Sequence, residues 1–152
     1  MTLFFLLISS NEHWRVPIGE VVCNSTFCDS GWIDLPLPKY VGQPPFTSTL
    51  TLTGLPPAPL THLRIQTFIL YPFTKDLVIT LVSPNGSTII LASGQGLNRG
   101  DLYNGTIWDD SAAKSVASSK FVSGVVAPVL HPQGNLSSLA GQDPMETGPW
   151  CR

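Results

Sequence analysis

Two adjacent carboxylates, Asp109 and Asp110, follow the short stretch Thr106-Ile107-Trp108. Two further aspartates stand where the pattern changes: Asp76 opens an apolar run and Asp101 lies in a glycine-rich loop. Neighbours on a strand point to opposite faces, but at a strand end both can turn toward one loop. Clustered carboxylates with loop carbonyls are the chemistry of Ca²⁺, which takes about six to eight oxygen ligands. The competing use is local, because an aspartate readily accepts hydrogen bonds from nearby backbone N–H groups and caps a turn. Asp101 reads as such a cap. Asp76, Asp109 and Asp110 stay open between caps and calcium ligands.

Nucleophilic catalysis needs a nucleophile, a base and an orienting carboxylate beside an oxyanion hole. Serine, histidine and aspartate are all present, but His13, His62 and His131 have no suggestive context, and His131 before Pro132 reads as a loop or edge residue. Gly-x-Ser-x-Gly, His-Glu-x-x-His and the phosphate-binding glycine loop do not occur. No catalytic residue is assigned. Cys23 and Cys28 flank a polar loop and could close a small disulfide in an oxidising compartment, with two free thiols as the alternative. The remaining cysteine, Cys151, is too remote in sequence to make this pair a metal site. Four Asn-x-Ser/Thr sequons, at Asn24, Asn85, Asn104 and Asn135, point to the secretory route and to surface glycosylation. Trp32, Trp108 and Trp150 read as core, with an exposed sugar-binding platform as the alternative.

The elements that must position these residues are strands. The chain of 152 residues contains 13 Gly and 14 Pro, so a breaker falls about every six residues and long helices are excluded. With 43% hydrophobic and only 12% charged residues it is the reverse of a disordered composition. A net charge of −2 and the lack of a basic block leave no electrostatic footprint for nucleic acid and no polybasic handle for a membrane surface. The apolar run Leu3-Phe4-Phe5-Leu6-Leu7-Ile8 is far short of the roughly 20 residues that cross a bilayer, and no membrane span is expected. Residues 1–10 read as a clipped or atypical signal sequence, with a buried strand as the alternative.

Residues 11–32 read as an irregular segment, and a domain is expected over 33–152. Ile33-Asp34-Leu35-Pro36 suits a short edge strand. Thr49 to Thr53 alternates strictly, as does Leu63 to Leu70, with Leu63, Ile65, Thr67 and Ile69 on one face. Asp76-Leu77-Val78-Ile79-Thr80-Leu81-Val82 is apolar on both faces and reads as a central strand. Ser83-Pro84-Asn85-Gly86 then turns, with proline presetting its own φ and Asn-Gly supplying left-handed residues, and Ser87 to Leu91 returns as the hairpin partner. Thr106 to Trp108 is a short strand, Val122 to Leu130 supplies another, and Leu136 to Gly141 is a helical turn or loop. Short strands at regular spacing, separated by Gly/Pro turns, predict an all-β, antiparallel β-sandwich.

The segment Asp76 to Thr88 resembles the hallmark hairpin of the P domain (P/Homo B domain). This jelly-roll-like β-sandwich module follows the catalytic domain of subtilisin-like proprotein convertases and occurs in many bacterial secreted proteases. Thr49 to Leu55 is similar to the family's early strand, Trp108-Asp109-Asp110-Ser111-Ala112 to its Phe-Asp-Asp-x-Ala segment, and Pro132 to Gly141 to its Pro-x-Gly-x-Leu-Ser-x-Phe-x-Gly segment. Gly148-Pro149-Trp150 is similar to its Gly-x-Trp. The matched order covers about 33–150. Two departures stand out: the connection from Ala127-Pro128 to Pro132 is short, and the chain stops at Cys151-Arg152, where the family continues into a last strand. A jelly roll lacking its last strand is therefore expected, which makes the chain a fragment, an altered gene product or an unstable domain. The resemblance implies a secreted, non-catalytic accessory module that stabilises a partner subtilisin-like serine endopeptidase domain and tunes its calcium and pH dependence. The Asp-Thr-Gly, His-Gly-Thr and Gly-Thr-Ser segments of such a catalytic domain do not occur in this chain. The alternative is a stand-alone secreted β-sandwich for binding or adhesion, with carbohydrate as its ligand.

Overall fold

The computed structural model describes residues 61–141 throughout and, ahead of them, the backbone of four strands. In chain order these are β1 (Thr2–Ser9), β2 (Val22–Cys23), β3 (Cys28–Asp29) and β4 (Phe46–Leu52). There follow β5 (Ile65–Phe68), β6 (Val78–Val82), β7 (Thr88–Ser93), β8 (Asn104–Trp108) and β9 (Val129–Leu130). Two short 3-10 turns, Thr74–Asp76 and Leu136–Leu139, are the helical pieces among the described residues. The protein is all-β, as its breakers require. The expected edge strand at 33–36 and the Trp32 and Trp150 positions lie outside the described residues, as do Asn24 and Cys151.

One sheet has the order β4-β1-β6-β7 and is antiparallel throughout. The apolar run at residues 3–8, for which the sequence leaves a signal or a strand, forms β1 here. It pairs with β4 from Thr2↔Leu52 to Ile8↔Phe46 and with β6 from Phe5↔Val82 to Ser9↔Val78. A strand with partners on both edges has its backbone satisfied without water, which a nearly all-apolar sequence suits. The segment 11–32, expected as irregular, contains the small β2–β3 ladder in which Cys23 stands directly opposite Cys28. Opposed residues in an antiparallel ladder have Cα atoms about 4.5–5.5 Å apart, within the range a disulfide bridges.

The run 76–82 expected as a central strand is one from Val78 on, Asp76 ending a 3-10 turn instead. β6 lies between β1 and β7, and Ile79 and Leu81 on it and Leu77 just ahead of it are buried. The turn after it differs in one detail from its reading. Gly86 alone takes the left-handed conformation, with φ +86°, while its N–H donates to Ser83 O at 2.9 Å. Asn85 contributes through its side chain: Oδ1 accepts from Ser87 N at 3.0 Å and from the Ser83 hydroxyl at 2.5 Å. A proline-led turn closed by a left-handed glycine matches the twist of the flanking strands.

The second sheet has the order β5-β8-β9. On and around β5 the expected face is inward, with Thr67 and Ile69 buried and Leu63 and Ile65 part-buried against the core. β9 departs from the expectation twice: it is two residues long, and it runs parallel to β8. Gly124, with φ +72°, breaks the apolar stretch 122–130 into a turn, leaving Val122 and Val125 exposed. A parallel neighbour needs a long crossover, which the connection 109–128 supplies.

One core lies among these strands, drawing Ile79, Leu81 and Leu91 from the first sheet and Trp108 and Leu130 from the second. Trp108 is fully buried and donates its indole N–H to Thr67 Oγ1 at 3.0 Å, so its polar atom is satisfied. The loop 94–103 is held against residues 71–77 by backbone bonds, among them Thr74 N to Arg99 O at 3.0 Å and Asp101 N to Tyr71 O at 2.8 Å. Gly134 lies against β7, donating to Ile90 O at 2.7 Å. A Cβ at that position would meet Ile89 Cγ2 at 2.8 Å and the Ile90 carbonyl oxygen at 3.1 Å. Only glycine allows the two backbones this approach. Replacing Gly134 with alanine should therefore cost about 1–3 kcal/mol through overpacking, read as a lower urea midpoint with an unchanged slope.

A carboxylate-anchored cleft as candidate functional site

The antiparallel register that pairs Ile65 with Trp108 brings Arg64, just before β5, opposite Asp109, just after β8. Opposite charges facing each other across a ladder attract, and here the Arg64 guanidinium Nε donates to Asp109 Oδ2. The other oxygen, Oδ1, accepts from Ser111 N at 2.8 Å and from the Ser111 hydroxyl at 2.7 Å. Asp109 is 2% exposed, so these bonds are what makes its burial tolerable. The two Ser111 bonds, with Arg64 adding to them against the penalty of burial, pull its carboxyl from an ordinary 3.8 down to about 2. His62 Nε2 stands 3.7 Å from the same Oδ1.

Asp110 works on a different segment. Its Oδ1 accepts from Leu136 N at 3.0 Å and its Oδ2 from Ser137 N at 2.6 Å. These are the first amides of the 3-10 turn Leu136–Leu139, orphan donors that a helix start must place somewhere. Asn135 supplies the local cap, its Oδ1 accepting from Ser137 N at 3.1 Å and from the Ser137 hydroxyl at 2.6 Å. Leu136 and Leu139 are thereby fixed in the core. Between this turn and residues 61–63 lies a cleft enclosing about 310 Å³, its solvent-open mouth included, lined by His62, Leu63, Asp110, Leu136 and Ser137 among others.

The remaining sequence candidates are dispersed. Asp101, expected to cap its own turn, instead accepts through Oδ1 from the distant Tyr71 N at 2.8 Å and so ties its loop to the segment after β5. Asp76 ends the other 3-10 turn, ahead of β6. Among the described residues no group of three or more His, Cys, Asp or Glu comes together around a metal-sized space. The Asp109 and Asp110 oxygens already receive N–H and O–H donors, which a cation would have to displace, so these residues do not fit a calcium site. Trp108, wholly buried, offers no sugar-binding face. His131 Nδ1 lies 2.7 Å from Pro132 O. Among the described residues no hydroxyl is hydrogen-bonded to a histidine ring, so the structure brings no nucleophile and base together there. In the core, Tyr103 packs on Trp108 with ring centroids 5.2 Å apart, and burial pushes its phenol well above its ordinary value.

Sequence reasoning missed Arg64 and the capping role of Asn135, and it considered His62 without giving it a partner. Asn135 carried a readable signal, an Asx residue two before a serine at a turn start. Arg64 carried none until the strand register was known. No family model, curated protein or solved structure matches the chain.

Two outcomes follow from this geometry. Because the folded state depresses the Asp109 carboxyl, its contribution is fully present above about pH 4 and is lost as pH falls toward about 2. Wild-type stability, measured by urea unfolding from about pH 6 downward, should drop through that window. Asp109→Asn should start lower and lose the drop; a variant retaining the same acid slope would contradict the assignment. Secondly, calcium chelator should leave the melting curve of the chain unmoved, and a lower midpoint would show a cation bound where N–H donors are assigned.

Proposed function

We propose that this chain is a secreted, non-catalytic P-domain-like module, a jelly-roll-like β-sandwich or a piece of one, that accompanies a subtilisin-like serine endopeptidase and stabilises it. The supporting observation is the Asp110 bridge. Two of the stretches that carry the resemblance, 108–112 and 132–141, are far apart in sequence yet meet through the Asp110 carboxylate and the amides of Leu136 and Ser137. Each motif residue has a task in that joint: Asp109 anchors β8 to Arg64, Asp110 holds the turn, Gly134 lets the segment reach β7, and Leu136 and Leu139 fill the core. Motif residues with mutually dependent tasks are what a shared structural module requires, whereas chance similarity has no reason to place them in one unit. A core drawn from both sheets suits a sandwich, and the four sequons suit a secretory route.

In this reading the module breaks no bond, and its effect is to raise the stability of a catalytic domain that supplies nucleophile, base and oxyanion hole. The gene on both sides of this segment is the direct test: a subtilisin-like catalytic domain encoded upstream is expected, and its absence overturns the reading. That catalytic domain, produced with and without this chain, should lose activity several-fold faster on heating when the chain is missing; equal inactivation rates would likewise reject the proposal.

A further inference from the structure

We infer that the folded domain carries N-linked glycans at Asn85 and Asn135 and excludes one at Asn104, although all three lie in equivalent sequons. The inference rests on the secretory part of the proposed function and adds to it which sites the fold selects.

In both selected sites the amide is divided between two uses. Asn85 is exposed at the β6–β7 turn, and its Oδ1 takes the Ser87 N–H and the Ser83 hydroxyl. Asn135 is exposed at the start of the 3-10 turn, and its Oδ1 takes the Ser137 N–H and hydroxyl. The oxygen of each side chain is thus held by the protein, while Nδ2, the atom that bonds to sugar, has no hydrogen-bond partner among the described residues. An N-glycosylated asparagine keeps its carbonyl oxygen as an acceptor, so the turn and the cap survive modification unchanged. The transfer joins Nδ2 to the anomeric carbon of a lipid-pyrophosphate-linked oligosaccharide supplied by the secretory pathway. Nδ2 gives up one proton and the lipid pyrophosphate leaves.

At Asn104 the same sequence pattern serves the fold. Asn104 is half-buried in β8, and its sequon partner Thr106 is fully buried. The Thr106 hydroxyl lies 2.9 Å from Leu102 O and 2.7 Å from Ala127 O, and donates to one of them. β8 is closed by β5 on one edge and β9 on the other. The hydroxyl that a transferase must read is withdrawn once β8 pairs, and a bulky polar group on a half-buried side chain opposes that pairing.

The test is to secrete the full chain from a eukaryotic host behind a cleavable signal peptide. The folded monomeric fraction is then mapped peptide by peptide after enzymatic deglycosylation in heavy-oxygen water, which marks each occupied asparagine and keeps Asn24 separate. Asn85 and Asn135 should be marked and Asn104 unmarked. Ser87→Ala and Ser137→Ala should each remove one glycan while preserving the backbone N–H bond to the asparagine, so loss of a glycan need not mean loss of the fold. A marked Asn104 in the folded fraction, or an unmarked Asn85 or Asn135, overturns the inference. Because the signal peptide imposes the compartment, the result does not depend on whether a protease domain lies upstream.

Discussion

A carboxylate removed from water must find its compensation inside the protein, and Asp109 sets that condition for the second sheet. Its burial at 2% exposure is tolerable only while Arg64 and Ser111 both reach it. Arg64 is in place only if β5 and β8 hold their register, and Ser111 only if the chain turns at once after β8. One side chain therefore demands a particular strand pairing and a particular turn. Breaking either leaves the carboxylate short of a hydrogen-bond donor.

The next residue extends the constraint outward. Asp110 stands where β8 ends, so its position is inherited from Asp109, and it collects the first amides of the 136–139 turn. That turn brings Leu136 and Leu139 to the core and Gly134 to the edge of β7. Gln133 N donates to Leu91 O at 3.1 Å beside the Gly134 bond, so part of the outer edge of β7 is covered rather than left open to another chain. A charge in one sheet thus helps finish the edge of the other. The cleft beside Asp110 is a by-product of this joint, with a wall from each segment it ties.

Legibility in the sequence followed the range of the interaction. The β6–β7 hairpin could be read because its turn chemistry lies within four residues, and the inward face of β5 because alternation repeats along a single strand. The part played by Asn85 was misassigned only in its means: the side chain, and not a left-handed backbone, makes its contribution. The stretch 122–130 looked like a long strand on apolarity alone, and one left-handed glycine reduced it to Val129–Leu130. The paired aspartates were visible as a site, but their chemistry was not. Calcium ligation and amide capping demand the same residue type, and only the partners within bonding distance tell them apart.

The amino-acid sequence alone determined the class of structure and its punctuation. Glycine and proline limit backbone angles residue by residue, and alternation assigns faces within a strand, so both act locally and need no partner to be known. Tertiary structure alone decided that Arg64 meets Asp109, that Asp110 holds a turn more than twenty residues away, and that Thr106 is a buried structural hydroxyl while Ser87 and Ser137 stay at the surface. Those outcomes depend on strand register and on which side of a sheet is covered. Register is a relation between segments distant in sequence, and a shift of one residue in β8 would send Thr106 to the opposite face and take Asp109 away from Arg64.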